Sequence, residues 1–299
     1  AKRPGGLVSC GASNSPGTSD ENDFWLVMTD LTGANATSAY FHEATTTWQD
    51  CYSVLVAANG DIVMAGRADQ GGWLVRTDAS GSKLWDTRVP GPAGDTGFRT
   101  VVAYGGNLYV AGTLSTGSGT ADLWLVAFTA AGDVLWQKTY GAVDTDESGW
   151  GLTTTGDGFL LTGSTTGYGA TDNDGFVVRT DLNGNEIWHQ RLNKPANSTG
   201  SGTSEELRGV AAVASGFVIA GADTTNGWND GWIVKLDAWG HDSCSVSGAC
   251  GSLTAANCSD ANPCTADSCD GPAGTCSHTD LDDGATCGDG KTCSAGICQ

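Results

Sequence analysis

The sequence predicts an all-β protein: a β-propeller of four-stranded blades over residues 1–243, followed by a small disulfide-stapled module over 244–299. Three observations predict it. An apolar segment recurs five times at near-constant spacing, glycine is abundant (45 residues) while proline is scarce (7), and nine of the eleven cysteines crowd between Cys244 and Cys298. Glycine in excess without a three-residue period speaks for many tight turns rather than for collagen.

The recurring segment is Phe24-Trp25-Leu26-Val27, Gly72-Trp73-Leu74-Val75, Leu123-Trp124-Leu125-Val126, Gly175-Phe176-Val177-Val178 and Gly231-Trp232-Ile233-Val234. Each copy runs into a D-x-x-G-like turn ending at Gly33, Gly81, Gly132, Gly184 or Gly240, spaced 48, 51, 52 and 56 residues apart. Thr129 once replaces the opening aspartate. Upstream of every copy lies a short apolar run closed by a glycine: Gly11, Gly66, Gly112, Gly163 and Gly221. Four of these runs follow another β-like run and a tight turn such as Asn59-Gly60 or Gly105-Gly106, and three D-x-x-G turns lead into a strand carrying Trp85, Trp136 or Trp188. The unit therefore reads strand, turn, strand, loop, strand, turn, strand, which is the pattern of a propeller blade.

The local chemistry agrees. Asn-Gly and Gly-Gly supply positive φ for hairpin turns, and the D-x-x-G glycine suits a left-handed position. Trp25, Trp73, Trp124, Phe176 and Trp232 are expected to wedge between blades, each buried ring contributing up to about 4–6 kcal/mol. The first copy is expected to lack its initial strand and the last its fourth. Five copies leave the manner of closure open.

Charge excludes several functions. A net charge of −20 and a pI near 4.2 oppose nucleic-acid binding, which needs Lys/Arg against phosphates. They also disfavour anionic membrane surfaces, and no apolar run is long enough to insert. The cysteine count points to an oxidising compartment. The opening Ala-Lys-Arg-Pro-Gly-Gly is not a signal peptide, so a processed or partial chain is expected.

Trp136-Gln137-Lys138-Thr139-Tyr140-Gly141, Asp157-Gly158-Phe159-Leu160-Leu161-Thr162-Gly163, Asp174-Gly175-Phe176-Val177-Val178-Arg179-Thr180-Asp181 and Gly184-Asn185-Glu186-Ile187-Trp188 carry a resemblance. They look like the secreted bacterial and archaeal propeller repeats that read D-x-W-L-V-K-T-D-x-x-G-N-x-x-W. The resemblance covers about residues 7–240 and implies a fold more than an activity. The tail, Cys258-Ser-Asp-Ala-Asn-Pro-Cys264-Thr-Ala-Asp-Ser-Cys269 with Cys276, Cys287, Cys293 and Cys298, resembles the C-x-D-x-N-P-C-T-x-D-x-C modules of bacterial surface proteins and implies an extracellular interaction or spacer module. The D-x-x-G-x-x-x-W turn is also similar to the tryptophan-docking repeat of quinone-cofactor dehydrogenases, whose adjacent cysteines this chain lacks.

Disulfides suit the tail better than zinc, since no C-x-x-C pair occurs. Cys244 and Cys250 are candidates for a small loop, and Cys10 and Cys51 for a staple between the first two blades. Eleven is odd, so one thiol is expected free or paired outside the chain. The Asn-x-Ser/Thr triplets at Asn35, Asn197 and Asn257 match the glycosylation acceptor pattern.

Connections between strands two and three, and between blades, share one rim. That rim collects half of the carboxylates, among them Asp23, Asp122, Asp144, Asp146, Glu147, Asp172, Asp174, Glu205, Glu206 and Asp223. A solvated acidic face is the plain reading. A calcium-binding face is the sharper one, with Asp144-x-Asp146, Asp172-x-Asp174 and, in the tail, Asp260, Asn262 and Asp267 as candidate oxygen ligands. The four histidines form no H-E-x-x-H motif and no G-x-S-x-G elbow appears, so no catalytic residue is assigned. The expectation is a non-catalytic secreted or cell-surface binding or scaffold protein. Its expected partners are surface or matrix proteins or glycans, and calcium is its candidate cofactor. The alternative is a lectin or glycoside-acting enzyme using acidic rim residues.

Overall fold

The computed structural model describes residues 1–14, 22–42, 48–69, 71–92, 94, 96–117, 119–193, 204–224, 230–240, 264–270, 275–281, 283–288, 291–294 and 297–298. They are all β. The chain forms two compact units, Ala1–Ala212 with Ile219–Ile233, and Val213–Val218 with Val234–Gln299.

Five antiparallel sheets follow one another along the propeller. Blade 1 holds β1 (Lys2–Arg3), β2 (Gly6–Ser13), β3 (Asp23–Asp30) and β4 (Thr37–Phe41). Blade 2 holds β5 (Gln49–Val56), β6 (Ile62–Ala68), β7 (Gly71–Thr77) and β8 (Lys83–Pro90). Blade 3 holds β9 (Gly97–Tyr104), β10 (Asn107–Ser115), β11 (Ala121–Phe128) and β12 (Val134–Tyr140). Blade 4 holds β13 (Glu147–Thr154), β14 (Gly158–Thr165), β15 (Asp174–Asp181) and β16 (Glu186–Leu192). Blade 5 holds β17 (Glu205–Val213), β18 (Gly216–Asp223) and β19 (Asp230–Leu236), and its sheet has three strands among the described residues.

Blade 1 corrects one expectation. It does have an inner strand, but one of two residues, with Lys2 opposite Leu7 and Arg3 opposite Gly6. Its outer strand, without a tryptophan, carries Tyr40 instead.

Each D-x-x-G turn is built alike. The glycines take φ of 83°, 90°, 94°, 74° and 90° at Gly33, Gly81, Gly132, Gly184 and Gly240. That left-handed region penalises any Cβ. Asp30 Oδ1 accepts the N–H of Thr32 (2.8 Å) and Ala34 (3.0 Å). Asp78 and Asp181 repeat this pattern, and Thr129 does it with Oγ1. The glycine also seats the preceding blade. A Cβ on Gly132 would come within 2.9 Å of Trp85, and one on Gly184 within 2.7 Å of Trp136. Tyr140 donates to Gly184 O (2.7 Å) and Arg76 to Ala130 O (2.8 Å), so both ring and hydrogen bond cross the junction.

The core lies between blades. Trp73, Trp124 and Phe176 are fully buried. Trp73 packs on Phe24 of blade 1 at 4.4 Å, and Trp124 on Phe98 at 4.9 Å. Trp25, assigned the same wedge role by its place in the repeat, is instead 36% exposed and stacks on Tyr40. Its face of blade 1 points away from blade 2, so the neighbouring Phe24 does the packing. Trp232 is half-buried.

The innermost strands carry β-bulges. Tyr52 in β5, Arg99 in β9 and Trp150 in β13 are the extra residues where the register shifts. Beside each bulge lies a strand-two glycine, because a Cβ on Gly66, Gly112 or Gly163 would fall within about 2 Å of the inner-strand carbonyl of Asp50, Gly97 or Ser148, which leads into the bulge. Cys10 of β2 and Cys51 of β5 form a disulfide across blades 1 and 2.

In the tail, β20 (Thr265–Asp270) pairs with β21 (Thr275–Asp280), and β22 (Thr286–Gly288), β23 (Lys291–Ser294) and β24 (Ile297–Cys298) form a second small sheet. Cys264 and Cys293 are bonded and almost fully buried. Cys244, Cys250, Cys258, Asp260 and Asn262 lie outside the described residues, as do the side chains of Asp267, Cys269, Cys276, Cys287 and Cys298. The disulfides place folding of this chain in an oxidising compartment. No helix is long and apolar enough to cross a membrane.

Candidate functional site

The acidic rim is less solvated than its composition suggests. Asp23, Glu147, Asp174, Glu205 and Asp223 are all buried. Their placement follows from register. Gln49, Thr96, Glu147 and Glu205 hold one equivalent position, two residues before the residue opposite the strand-two glycine, and all four are buried. Asp23, Asp122 and Asp174 stand two residues before the repeat aromatic of the preceding blade. Three of the four blade junctions therefore bring a strand-one polar group beside a strand-three aspartate; between blades 2 and 3, Gly71 stands where the aspartate would be.

Between blades 3 and 4 this pairs Glu147 with Asp122. A Cβ on Gly141 would lie 2.4 Å from Glu147 Oε2 and 2.5 Å from Asp122 Oδ1, so these oxygens are within about 5 Å of one another. Thr165 and Thr145 donate to Glu147 Oε1 at 2.5 and 2.9 Å. Glu147 Oε2 has no hydrogen-bond partner among the described residues. Burial raises the pKa of Glu147, the two threonine bonds oppose that, and the like charge of Asp122 adds to it. Burial raises Asp122 as well, against a bond from Thr139. Nearby Tyr168 is pushed up to about 12, first by burial and then by the charge of Glu147.

Glu147 opens on a recess of about 250 Å³, lined also by Thr113, Asp146, Ser148, Ser164, Asn173 and Glu206. Glu206 is held by Arg208, which donates Nε at 3.0 Å and Nη2 at 2.5 Å. The recess thus combines a buried carboxyl biased toward its protonated form with an arginine-paired carboxylate, among hydroxyl and amide groups. That is the division of labour acid–base chemistry requires.

Between blades 4 and 5, Asp172, Asp174 and Glu205 bring carboxylate oxygens within 4.8 Å of one another. Burial raises the pKa of Asp174; its ion pair with Arg191 opposes this, and Asp172 adds to it. An all-oxygen set of this kind is what hard divalent cations take, although Arg191 already balances one charge. Sequence reasoning named Asp172 and Asp174 as ligands but not Glu205, which only the blade junction brings to them. Asp144 and Asp146 do not converge. Asp146 accepts the N–H of Ala121 (2.9 Å) and lines the Glu147 recess, while Asp144 lines a separate one with Asp122 and Gly141.

Neither a protein-family description nor a curated protein matches the chain. Similar solved structures include an endo-arabinase from Bacteroides thetaiotaomicron, at 10% identity over 64% of this chain and 75% of that one, TM-score 0.45. The NanB sialidase from Streptococcus pneumoniae matches at 9% over 67% of this chain, TM-score 0.46, and this chain spans only 32% of it. An α-L-arabinofuranosidase from Clostridium thermocellum matches at 11% over 81% of this chain and 90% of that one, TM-score 0.41. Identity this low speaks for the propeller fold and transfers no activity. All three are nevertheless enzymes, and with them the expectation of a non-catalytic scaffold, and of a chain that is not an enzyme, is corrected.

Proposed function

We propose that this chain is a secreted glycoside-acting protein whose site is the recess between Glu147 and Glu206. The observation that carries the reading is the opposite environment of two carboxyl groups facing one cavity. Glu147 is buried and biased toward the acid form, as a proton donor to a leaving oxygen must be. Glu206 sits on the Arg208 guanidinium and serves as the second carboxyl group of the pair. The recess volume lies below the roughly 300–1,000 Å³ of sites for drug-sized ligands, which suits a single sugar ring whose hydroxyls meet Ser148, Ser164 and Asn173.

Secretion and surface attachment rest on the disulfides and on the likeness of residues 244–299 to surface-protein modules. Calcium at Asp172, Asp174 and Glu205 belongs to the same proposal as a structural support beside the recess.

The test is a panel of aryl glycosides and polysaccharides assayed with the whole chain and with Glu147→Gln. Turnover that falls roughly 10²–10⁴-fold in the variant, with an unchanged circular-dichroism spectrum, supports the assignment. No turnover and no retention on a glycan array would overturn it.

A further inference from the structure

Three carboxyl groups meet at the junction of blades 4 and 5. Asp172 and Asp174 come from the entry to β15 and Glu205 from the start of β17, with one oxygen of each within 4.8 Å of the others. Asp174 and Glu205 are fully buried. Arg191 of β16 takes Asp174 Oδ2. Asp174 Oδ1 and Asp172 Oδ1 are both out of water and both without a hydrogen-bond donor among the described residues. The two carboxyl groups nevertheless stand within hydrogen-bonding reach of each other. Acceptors in contact away from water repel unless a proton or a cation lies between them. Oxygens spaced within 4.8 Å all fit one shell of a calcium ion, whose opposite ligands stand roughly 4.6–5.2 Å apart. Arg191 offsets one carboxylate, and a divalent ion offsets two more.

The neighbours of these ligands line the recess. Asn173 lies between Asp172 and Asp174, Glu206 follows Glu205, and both face the cavity that holds Glu147. Successive residues of an extended chain point to opposite sides. Ligands and recess-lining groups therefore share two short backbone segments. The segments are tied to each other: the Glu205 N–H donates to Asn173 O at 2.6 Å, and Asn173 Nδ2 donates to Ser204 Oγ at 3.4 Å. An ion that joins Asp172 and Asp174 to Glu205 fixes the spacing of Asn173 and Glu206 as well. Without it, like charges push the same two segments apart.

We infer that calcium bound by Asp172, Asp174 and Glu205 is a switch for the recess: it draws the entry of β15 and the start of β17 together and so sets Asn173 and Glu206 for a ligand. This goes beyond support of the fold. The ion and the recess ligand each favour the other's binding, because coupling between two sites is reciprocal. Calcium is the ion of choice because carboxylates from two strands form an irregular set. Calcium accepts such a set, whereas magnesium demands a near-ideal octahedron and gives up its waters reluctantly. The place of the ion rests on the cluster alone; its consequence for a sugar rests on the glycoside reading.

The experiment compares the whole chain with Asp172→Asn and Glu205→Gln, each stripped with EDTA and then titrated with calcium chloride alone or magnesium chloride alone. Calcium should raise the Tm of the parent by about 3–8 °C at saturation, and magnesium by less than half as much. The variants should match or exceed the parent in EDTA, since a like charge has left the cluster, and should gain nothing from calcium at this site. Amide exchange at Glu205 and Glu206, read by NMR, should slow roughly tenfold when the parent binds calcium. Equal stabilisation by magnesium, variants that respond to calcium like the parent, or variants weakened equally with and without the ion would each overturn the switch. So would unchanged exchange at Glu205 and Glu206. On a glycan array, any sugar held by the calcium-loaded parent should be released by EDTA, and retention that survives EDTA would overturn the coupling. Thermal and exchange responses to calcium without any retained sugar would uphold the ion's place and remove the glycoside reading alone.

Discussion

The two rims of the blades use the same side chain in opposite ways. On the D-x-x-G rim, Asp30, Asp78 and Asp181 are solvent-facing and saturated with local donors, which hold their pKa values below the ordinary range, Asp30 at about 2. On the acidic rim, Asp122, Glu147 and Asp174 are desolvated, lie near other carboxylates, and are shifted upward. A carboxylate hydrogen-bonded to N–H groups in water closes a turn and holds the chain together. A carboxyl that leaves water with an oxygen still unbonded is a cost to folding that fits a chemical task. Sequence position decides between them: the first kind opens a turn with glycine three residues on, whereas the second begins a strand at a blade junction.

The largest test of this contrast is steric. Gly33 and Gly132 share a positive φ, but only Gly132 seats a tryptophan. Gly33→Ala should lose about 1–2 kcal/mol from the left-handed backbone alone. Gly132→Ala adds overpacking against Trp85 and should lose about 2–5 kcal/mol. Urea denaturation of both variants measures the difference; equal losses would mean that the turn glycine serves φ only.

The pH profile tests the rims together. Groups with raised native pKa bind more protons in the folded state, so their share of stability grows as pH falls from 7 toward about 4. Groups with lowered native pKa contribute stability that is complete above the unfolded value and is lost as pH falls toward about 2. Tm should therefore rise on mild acidification and then drop. Asp30→Asn should flatten the acid drop, and Glu147→Gln the earlier rise. A Tm that falls steadily from pH 7 downward would refute the account of the acidic rim.

The smallest effect is one of sign at neutral pH. Glu147→Gln removes a buried charge, keeps an acceptor for Thr145 and Thr165, and can donate to Asp122, so Tm should increase slightly. Asp30→Asn weakens a turn and should lower it slightly. Differential scanning calorimetry distinguishes the two.

The turns were legible in the sequence because they are local: a D-x-x-G with φ near 90° can be read from four residues. The blade repeat was legible for the same reason, being a recurrence of such units. The exchange of Trp25 for Phe24 was not, since it depends on which neighbour a strand face meets. Nor was the burial of Glu147 and Glu205, which a count of rim charges treats as solvated. A signal did exist. Gln49, Glu147 and Glu205 stand equally spaced ahead of the inner-strand bulges, as Asp23, Asp122 and Asp174 do ahead of the repeat aromatics. Aligning the copies on the strand-two glycine, rather than listing acidic loops, brings both columns out. The short β1 carries no local mark, because Lys2 and Arg3 pair through their backbone alone.

The seating of Trp85 on Gly132 and of Trp136 on Gly184 reaches beyond any single junction. Blades 2 and 3 each offer the next blade a tryptophan, and blades 3 and 4 receive it in the same glycine notch, while Gly81 of blade 2 receives Met28 of blade 1 instead. A duplication that copies the stretch from one D-x-x-G turn to the next therefore carries both halves of a joint with it. The duplicate docks on arrival, with no new surface to evolve. Length in such an array can change by whole blades, while the carboxyl groups of the other rim diverge one junction at a time.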